Sequence, residues 1–398
     1  MKYTCVGHHS RENGFAWRNA YNLTHQTSKN NSDDRAPSSL MRAFHTTSVC
    51  DTTMANTPNL KLSICLATFN RANFLAITLD SILSQLNSDC EIVISDNAST
   101  DNTEEIVTKY ASQCNRLRYM KQETNLGFDR NFDFMVEVAR GEYCWLFADD
   151  DLMKPGAVLT VLKALRTDYG LVLVNGEVRD ANMANIRLDS FFGVDCDRVY
   201  ASNEMDRLFT DVGACAVCIC SIVIKRSFWL GRERQRFYGS WLIHVGVIFQ
   251  TSVPGNTLVM AEPLVSLRLD NKRTWATERF QIEMINWPSL VWSSPLSAAT
   301  KRRFSLAEPW RRLRYLLALR AMGVYSLAEY HKSVRPRLRS VRESAIPIMI
   351  LFLTPKLARY FYALYSFMSG APKSPYDARS TMFPKCAKQL RDAPARDN

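Results

Sequence analysis

The hydrophobic pattern changes character near residue 60. Residues 1–58 are rich in Asn, Ser, Thr and His and show no apolar period, so they predict no packed element. They read as a disordered leader, or as an extension ahead of a true start at Met54. From Leu60 onward, short apolar runs alternate with amphipathic ones. Leu60 to Thr68 predicts a buried strand. Ala72 to Leu86 predicts a helix whose stripe is Phe74, Leu75, Ile77, Leu79, Ile82, Leu83 and Leu86. Cys90–Ser95 predicts a second strand, followed by a helix capped near Thr103 with Ile106, Val107 and Tyr110 inward. Leu117–Met120, a helix over 129–139 and Tyr143–Phe147 continue the alternation. Strand and helix in turn, with a polar loop after each strand, is the signature of a parallel α/β sheet, which binds ligands beyond the carboxyl ends of its strands. A further buried strand is expected at Ala216–Ile224.

Composition agrees with a folded enzyme-sized chain: 398 residues, 46% hydrophobic and 22% charged lie in the globular range. The net charge of +11 is uneven: residues 301–398 hold 20 Lys/Arg against 6 Asp/Glu, residues 1–300 hold 30 against 33. A basic tail on a near-neutral body implies a polyanionic partner, nucleic acid or an anionic membrane surface. The eleven cysteines are odd in number and scattered, which points to free thiols in a reducing compartment rather than a disulfide framework. Cys215, Cys218 and Cys220 have no second Cys/His pair at zinc-site spacing and read as small buried hydrophobes.

In the basic tail, twelve Lys and Arg between Lys301 and Arg342 are interleaved with Trp310, Tyr315, Leu316, Leu317 and Tyr325. The following apolar stretch, Ala345 to Met368, is broken by Pro347, Pro355, Lys356 and Arg359. A spanning helix needs about 20 predominantly apolar residues. An interfacial helix or hairpin therefore fits better, with a helical subdomain packed on the body as the alternative. The chain divides into residues 1–58, a catalytic α/β domain over 59–270 and a basic helical region over 271–398.

The chemistry gathers in the loops after the strands. Asp96, Asp101, Asp149, Asp150 and Asp151 all fall at what should be one edge of the sheet, so five carboxylates are expected to converge there. Their repulsion requires solvent or a cation, and carboxylate oxygens suit Mg2+ or Mn2+. The bland alternative for an Asp-Asp-Asp run is a solvated turn or helix cap. No Walker G-x-x-x-x-G-K-[ST] and no G-x-G-x-x-G after the first strand is present, which argues against an ATPase or a nicotinamide dehydrogenase.

Four motifs stand in order over about 90 residues: Thr68-Phe-Asn-Arg71; Ser95-Asp-Asn-Ala-Ser-Thr-Asp-Asn-Thr103; Asn125-Leu-Gly-Phe-Asp-Arg-Asn131; and Gly141-Glu-Tyr-Cys-Trp-Leu-Phe-Ala-Asp-Asp-Asp151. In these the chain resembles the family 2 glycosyltransferases of GT-A fold, and within them the abequosyltransferase group of O-antigen and polysaccharide assembly. The resemblance implies an inverting transfer from a nucleotide-diphosphate sugar, leaning to a CDP-linked 3,6-dideoxyhexose, onto a lipid-linked or polysaccharide acceptor. It places Thr68, with Asn70 and Arg71, near the nucleotide, and Asp96 on the pyrimidine edge. Asn125, Gly127 and Arg130 fall near the diphosphate, Asp149 at the ribose, and Asp150 with Asp151 at a Mg2+ or Mn2+ ion. Ala67 replaces the family's usual Pro. Ala148 replaces an additional acid, which leaves the ligand register open by one residue.

The family's base position, on the acceptor side, falls here on Tyr238-Gly-Ser-Trp-Leu-Ile-His244, without an acid. His244 is the ionisable group there, with packing as its alternative role, and Asp211 is the reserve. A peripheral place at the inner face of the cytoplasmic membrane, without nucleic acid, follows from a lipid-linked acceptor. The rivals are a sugar nucleotidyltransferase, which would want a Gly-rich basic first loop, and a non-catalytic nucleic-acid-binding protein, which leaves the acids unexplained.

Overall fold

The computed structural model describes residues 60–213, 215, 218–269 and 277–369. The expectations for the leader before residue 60 lie outside the described residues. The first half of the fold follows the predicted alternation: β1 (Leu62–Thr68), α1 (Ala72–Leu83), β2 (Cys90–Asp96), α2 (Thr103–Ala111), β3 (Leu117–Lys121), α3 (Phe128–Val138) and β4 (Tyr143–Ala148). α1 stops three residues short of the predicted end. There the apolar stripe gives way to Ser84-Gln85, and the Gln85 amide donates to the Ser81 carbonyl, satisfying an acceptor of the last turn. Then come β5 (Leu152–Met153), α4 (Ala157–Ala164), β6 (Tyr169–Arg179), β7 (Ile186–Leu188), β8 (Arg198–Tyr200), α5 (Met205–Val212), β9 (Ile222–Lys225), α6 (Arg226–Leu230), α7 (Ile243–Phe249) and β10 (Asn256–Arg268).

These strands form one sheet in the order β3-β2-β1-β4-β9-β6-β10-β5, with β7 on β6 and β8 on β10. The first four strands pair in parallel. Beyond them β9 runs antiparallel to both β4 and β6, and β6 pairs in parallel with β10. The sheet is thus parallel over β1 to β4 and mixed in the other half. β1 and β2 are buried along nearly their whole length. Such continuous apolar runs, covered on both faces, are what parallel strands require. Each buried aliphatic side chain there contributes about 1.5–3 kcal/mol relative to exposure.

Within the strand expected over 216–224, the described residues divide: Ile219–Ser221 form a 3-10 turn, and the pairing strand is Ile222–Lys225. The turn is held by β4: the Trp145 indole donates to the Cys220 carbonyl at 2.8 Å, and the Ala148 amide donates to its sulfur at 3.3 Å. Cys65, Cys90, Cys114, Cys144, Cys196, Cys218 and Cys220 are free thiols, while Cys215 is disulfide-bonded, against the expectation of free thiols.

The basic tail is helical: α8 (Arg279–Gln281), α9 (Trp287–Ser293), α10 (Ala298–Phe304), α11 (Leu313–Ala321), α12 (Leu327–Glu329), α13 (Ala345–Leu351) and α14 (Pro355–Ser369). The main apolar core crosses the boundary expected at 270 and takes in Trp287, Val291, Leu296 and Phe304. A second core gathers Phe280, Trp310, Tyr315 and Tyr325, and a third joins α11 to α14 through Leu317, Ala321, Ala358 and Tyr362.

Gly170 tests how tightly the mixed half is built. A Cβ on this residue of β6 would lie 1.9 Å from the Pro254 carbonyl oxygen. Gly170→Ala should cost at least about 2 kcal/mol, toward the upper end for overpacking, read as a lowered urea midpoint. An unchanged midpoint would show that the 253–255 turn yields freely.

Candidate active site

Strand register builds the site. Thr68 stands opposite Asp96, Asp96 opposite Lys121, and Ala67 opposite Ala148. The four loops that follow therefore leave one sheet edge side by side, as the alternation predicts. They are then stapled to one another. The Asn97 amide N–H donates to the Thr68 carbonyl at 2.9 Å, its side-chain NH2 donates to Asn125 Oδ1 at 2.9 Å, and its side-chain oxygen accepts from the Leu126 amide at 2.7 Å. Asn70 donates its amide to Ser99 Oγ and accepts from the Thr100 amide. Asp101 accepts from the Ala72 amide at 3.1 Å, at the start of α1. Asn70 and Ala98 take positive φ of 54° and 65°, a conformation that costs non-glycine residues energy and tends to persist at functional loops.

The five acids do not form a common cluster of free carboxylates, which corrects the expectation. Among the described residues no three His, Cys, Asp or Glu side chains gather to hold a metal. Asp96 is fully buried; its oxygens accept from the Ser99 amide at 2.7 Å and the Tyr119 hydroxyl at 2.8 Å. Burial, and then that bond, push the Tyr119 phenol far above its ordinary range. Asp101 is used at the α1 start. Asp151 turns inward: Oδ1 accepts from the Arg268 amide at 2.9 Å and Oδ2 from the Cys220 thiol at 2.9 Å. Burial pushes the Cys220 thiol well up and keeps it a donor.

Asp149 and Asp150 are left as the electrostatic pair. Burial, and then the charge of Asp150, push the Asp149 carboxyl up to about 8; Arg71 and the nearby Thr68 hydroxyl pull the other way. That hydroxyl is itself buried beside the Asp149 carboxyl. Asp149 Oδ2 faces the Phe69 amide at 3.4 Å.

Three residues that shape this acidic loop are missed by motif reading. Thr78 on α1 donates its hydroxyl to the Asp149 and Asp151 carbonyls, both at 3.0 Å. A Thr amid Leu75, Leu79 and Ile82 on the inward stripe is the signal that could have found it. Arg268, at the end of β10, donates its guanidinium to the Asp150 and Ala181 carbonyls and lies 4.9 Å over the Phe74 ring. A cation closing a long apolar strand marks it. Cys220 carries no such signal.

Asn125 and Gly127 are exposed in the third loop, and Gly127 (φ 81°) starts α3. Arg130 lies exposed in the first turn of α3, its guanidinium 5.0 Å from the Tyr238 ring. His244 lies on α7, 1% exposed, edge-on to Phe128. Its ring is packed inside the fold rather than displayed on the loop surface. Asp211 lies on α5, where it accepts from the Tyr200 hydroxyl at 2.7 Å and pairs with Arg198 at 3.6 Å. That corner belongs to α5 and β8, not to the four loops.

The geometry agrees with what the comparisons find. The glycosyl transferase family 2 model matches residues 63–230. The chain is similar to abequosyltransferase RfbV of Salmonella typhimurium, 31% identical over 223 residues, 53% of this chain and 67% of that one. It also resembles the GalNAc(5)-diNAcBac-PP-undecaprenol beta-1,3-glucosyltransferase of Campylobacter jejuni, 32% identical over 116 residues, covering 29% of this chain and 38% of that protein. Among solved structures, Staphylococcus aureus TarS 1–349 in complex with UDP aligns at TM-score 0.47 and 13% identity, over 83% of this chain and 90% of that one. The chain belongs to the family 2 glycosyltransferases, and its mostly parallel sheet with a helical C-terminal region agrees with the α/β fold that the sequence motifs imply.

The Asp149 shift has a measurable sign. The ordinary carboxyl value is 3.8 and the folded value about 8, so the folded chain keeps a proton that the unfolded chain releases. The associated stability is full below pH of about 4 and is lost as pH rises to about 8. With EDTA present, the wild-type thermal midpoint should fall across that window relative to Asp149→Asn, which cannot ionise. Parallel pH profiles for the two proteins would show that Asp149 titrates normally.

Proposed function

We propose that the chain is an inverting transferase that moves a sugar from a nucleotide-diphosphate donor to a hydroxyl of a lipid-linked or polysaccharide acceptor. The observation that carries this reading is the set of four interlocked loops at one sheet edge, with the coupled pair Asp149 and Asp150 at its centre. Asp96, an acceptor fixed by two donors, keeps lone-pair capacity for a pyrimidine N–H. The Thr68 hydroxyl lies beside Asp149 in the same loop and is placed to serve the nucleotide. The exposed Arg130 guanidinium suits the diphosphate, which it can grip with two parallel hydrogen bonds. Arg71 offsets part of the local negative charge. The relationship to an abequosyltransferase favours a CDP-linked 3,6-dideoxyhexose as donor.

A divalent cation fits the donor set. Burial, and then the charge of the adjacent Asp150, disfavour ionisation of Asp149; a cation would offset that cost, leaving both groups as hard-oxygen carboxylate ligands. Mg2+ and Mn2+ bind through one or two carboxylates, with water and phosphate oxygens filling the other positions. Asp150, the less buried of the pair, would hold it, with Asp149 alongside; Asp151 keeps the loop in shape through Arg268 and Cys220. When bound, the ion supplies stabilisation of the negative charge that grows on the departing diphosphate. The protein's own share is positioning: the loops hold donor and acceptor so that the hydroxyl meets the anomeric carbon on the face opposite the leaving group.

The tail supports a membrane-surface location for this chemistry. Among the described residues no single helix is long and apolar enough to cross a membrane; Val341–Leu351 and Pro355–Met368 would pass only together, and they are bent by 111°. Arg320 on α11 clamps the bend by donating to the Leu351 and Leu353 carbonyls. The pair leaves Met349, Phe352, Tyr360, Leu364, Phe367 and Met368 exposed, with Phe352 at 83% and Phe367 at 89%. Apolar side chains at this density, set among Arg335, Arg339, Arg342 and Lys356, suit an anionic bilayer at the inner face of the cytoplasmic membrane.

Two experiments test these readings. Incubation with CDP-, UDP-, GDP- and dTDP-sugars plus Mg2+ or Mn2+ should release nucleoside diphosphate from one of them. Asp150→Asn should lower that turnover by more than about 100-fold, a loss of several kcal/mol of leaving-group stabilisation, with an unchanged melting curve. Near-normal, metal-dependent turnover would place the metal elsewhere; pyrophosphate release from nucleoside triphosphate and sugar phosphate would favour a nucleotidyltransferase. In vesicle flotation with anionic lipid, binding should weaken with salt yet persist, and Phe352→Ser/Phe367→Ser should remove the salt-resistant part. No flotation by the intact chain would reduce the tail to a packing subdomain.

A further inference from the structure

The segment where the family's base is expected contains no acid, yet the structure builds it with unusual care. Trp241 takes a left-handed φ of 65°, which for a bulky residue is a true outlier and must be held by its surroundings. Asp129, in the first turn of α3, does the holding: Oδ2 accepts from the Trp241 amide at 2.8 Å and Oδ1 from the Ile243 amide at 3.0 Å. Both carboxylate oxygens are spent on two amides at the start of α7. From the other side the Asn286 side chain donates to the Ser240 carbonyl at 2.9 Å. Tyr238 donates its hydroxyl to Asp133 Oδ2 at 2.5 Å.

The indole so placed stacks on Phe128 at 5.4 Å and 23°, and remains partly exposed. Its neighbourhood is the donor end of the site. Phe128 follows Gly127 of the third loop, and Arg130, next to Asp129, lies over Tyr238 of the same segment. A donor diphosphate gripped by Arg130 would therefore lie beside this segment. A rigid aromatic face with one side packed and part of its surface open offers the apolar C–H face of a sugar ring a place to lie.

We propose that Trp241 is the stacking surface for a sugar ring of the acceptor and that Asp129 is its positioning residue, acting through the backbone of residues 241–243. The inference rests on the transfer reading above and adds the part of the site that receives the acceptor. It also gives the segment a role that requires no acid: it holds the acceptor.

The test uses the full chain labelled with 5-fluorotryptophan, the Trp241 fluorine signal being assigned with Trp241→Phe. The probes are the methyl glycosides of glucose, galactose and mannose, added after CDP or UDP with Mg2+. At least one glycoside should shift the Trp241 signal saturably. Asp129→Asn, which keeps the shape but turns one acceptor into a donor against a backbone amide, should weaken that glycoside by about tenfold, the scale of one lost stacking contact. Nucleotide affinity, measured on the same samples, should not change. Asn286→Ala, which frees the Ser240 carbonyl without touching α3, should act in the same direction and serves if the first variant fails to fold. A Trp241 signal unmoved by all three glycosides while nucleotide binds, or a variant that weakens nucleotide and glycoside equally, would overturn the proposal. Failure of every nucleotide to bind the wild-type chain would instead remove the transfer reading beneath it.

Discussion

The parallel register of β1 between β2 and β4 is the constraint on which the rest of the molecule depends. It is fixed by apolar side chains on both faces of three strands, and a slip of one residue would turn every one of them to the wrong face. With it in place, Thr68, Asp96 and Ala148 end in line, and the loops beyond need only short polar side chains to lock together. Asn97 can reach the first and third loops at once only because the strands beneath them end level. The strain at Asn70 and Ala98 is borne by this lattice of hydrogen bonds.

Most of the parallel half was legible in the sequence, because a strand buried on both faces and a helix buried on one leave different periods in the chain. The position of Asp96 and of the acidic run was legible because each closes a recognisable strand, whereas Arg130 stood out only through the motif resemblance. What the pattern could not carry was the direction in which a side chain turns once distant segments meet. Asp150 and Asp151 are neighbours with the same side chain, yet Asp151 is drawn inward by the Arg268 amide and the Cys220 thiol, which come from β10 and the turn before β9. At His244 the capacity to ionise is visible in a sequence, but the edge-on packing against Phe128 is not. Cys220 lay in an apolar run that reads as strand, but its carbonyl and sulfur were needed by β4, and a turn resulted.

The acidic run shows how one loop serves two electrostatic purposes. Its inner carboxylate is neutralised locally by donors the protein supplies, which fixes the backbone. Asp149, equally buried, is set beside Asp150, an unfavourable arrangement for a second charge that the folded chain meets by holding on to a proton. Thr78 and Arg268 hold the loop's carbonyls, so the repulsion cannot be relieved by the loop moving apart. The same division appears at α3, where Asp129 is spent on backbone and its neighbour Arg130 is left exposed.

The clamped bend between α13 and α14 also sets a depth. The fifteen residues of α14 span about 22 Å, against about 30 Å for a bilayer's hydrocarbon interior. Because Arg320 holds the bend through two carbonyls, the two legs cannot straighten into one rod. Laid into a membrane, the pair would act as a wedge confined to a single leaflet, adding area to one side of the bilayer only. Such a wedge enters most readily where headgroups are loosely packed or the surface is convex, so lipid packing, and not charge alone, would set how long the protein stays at the membrane.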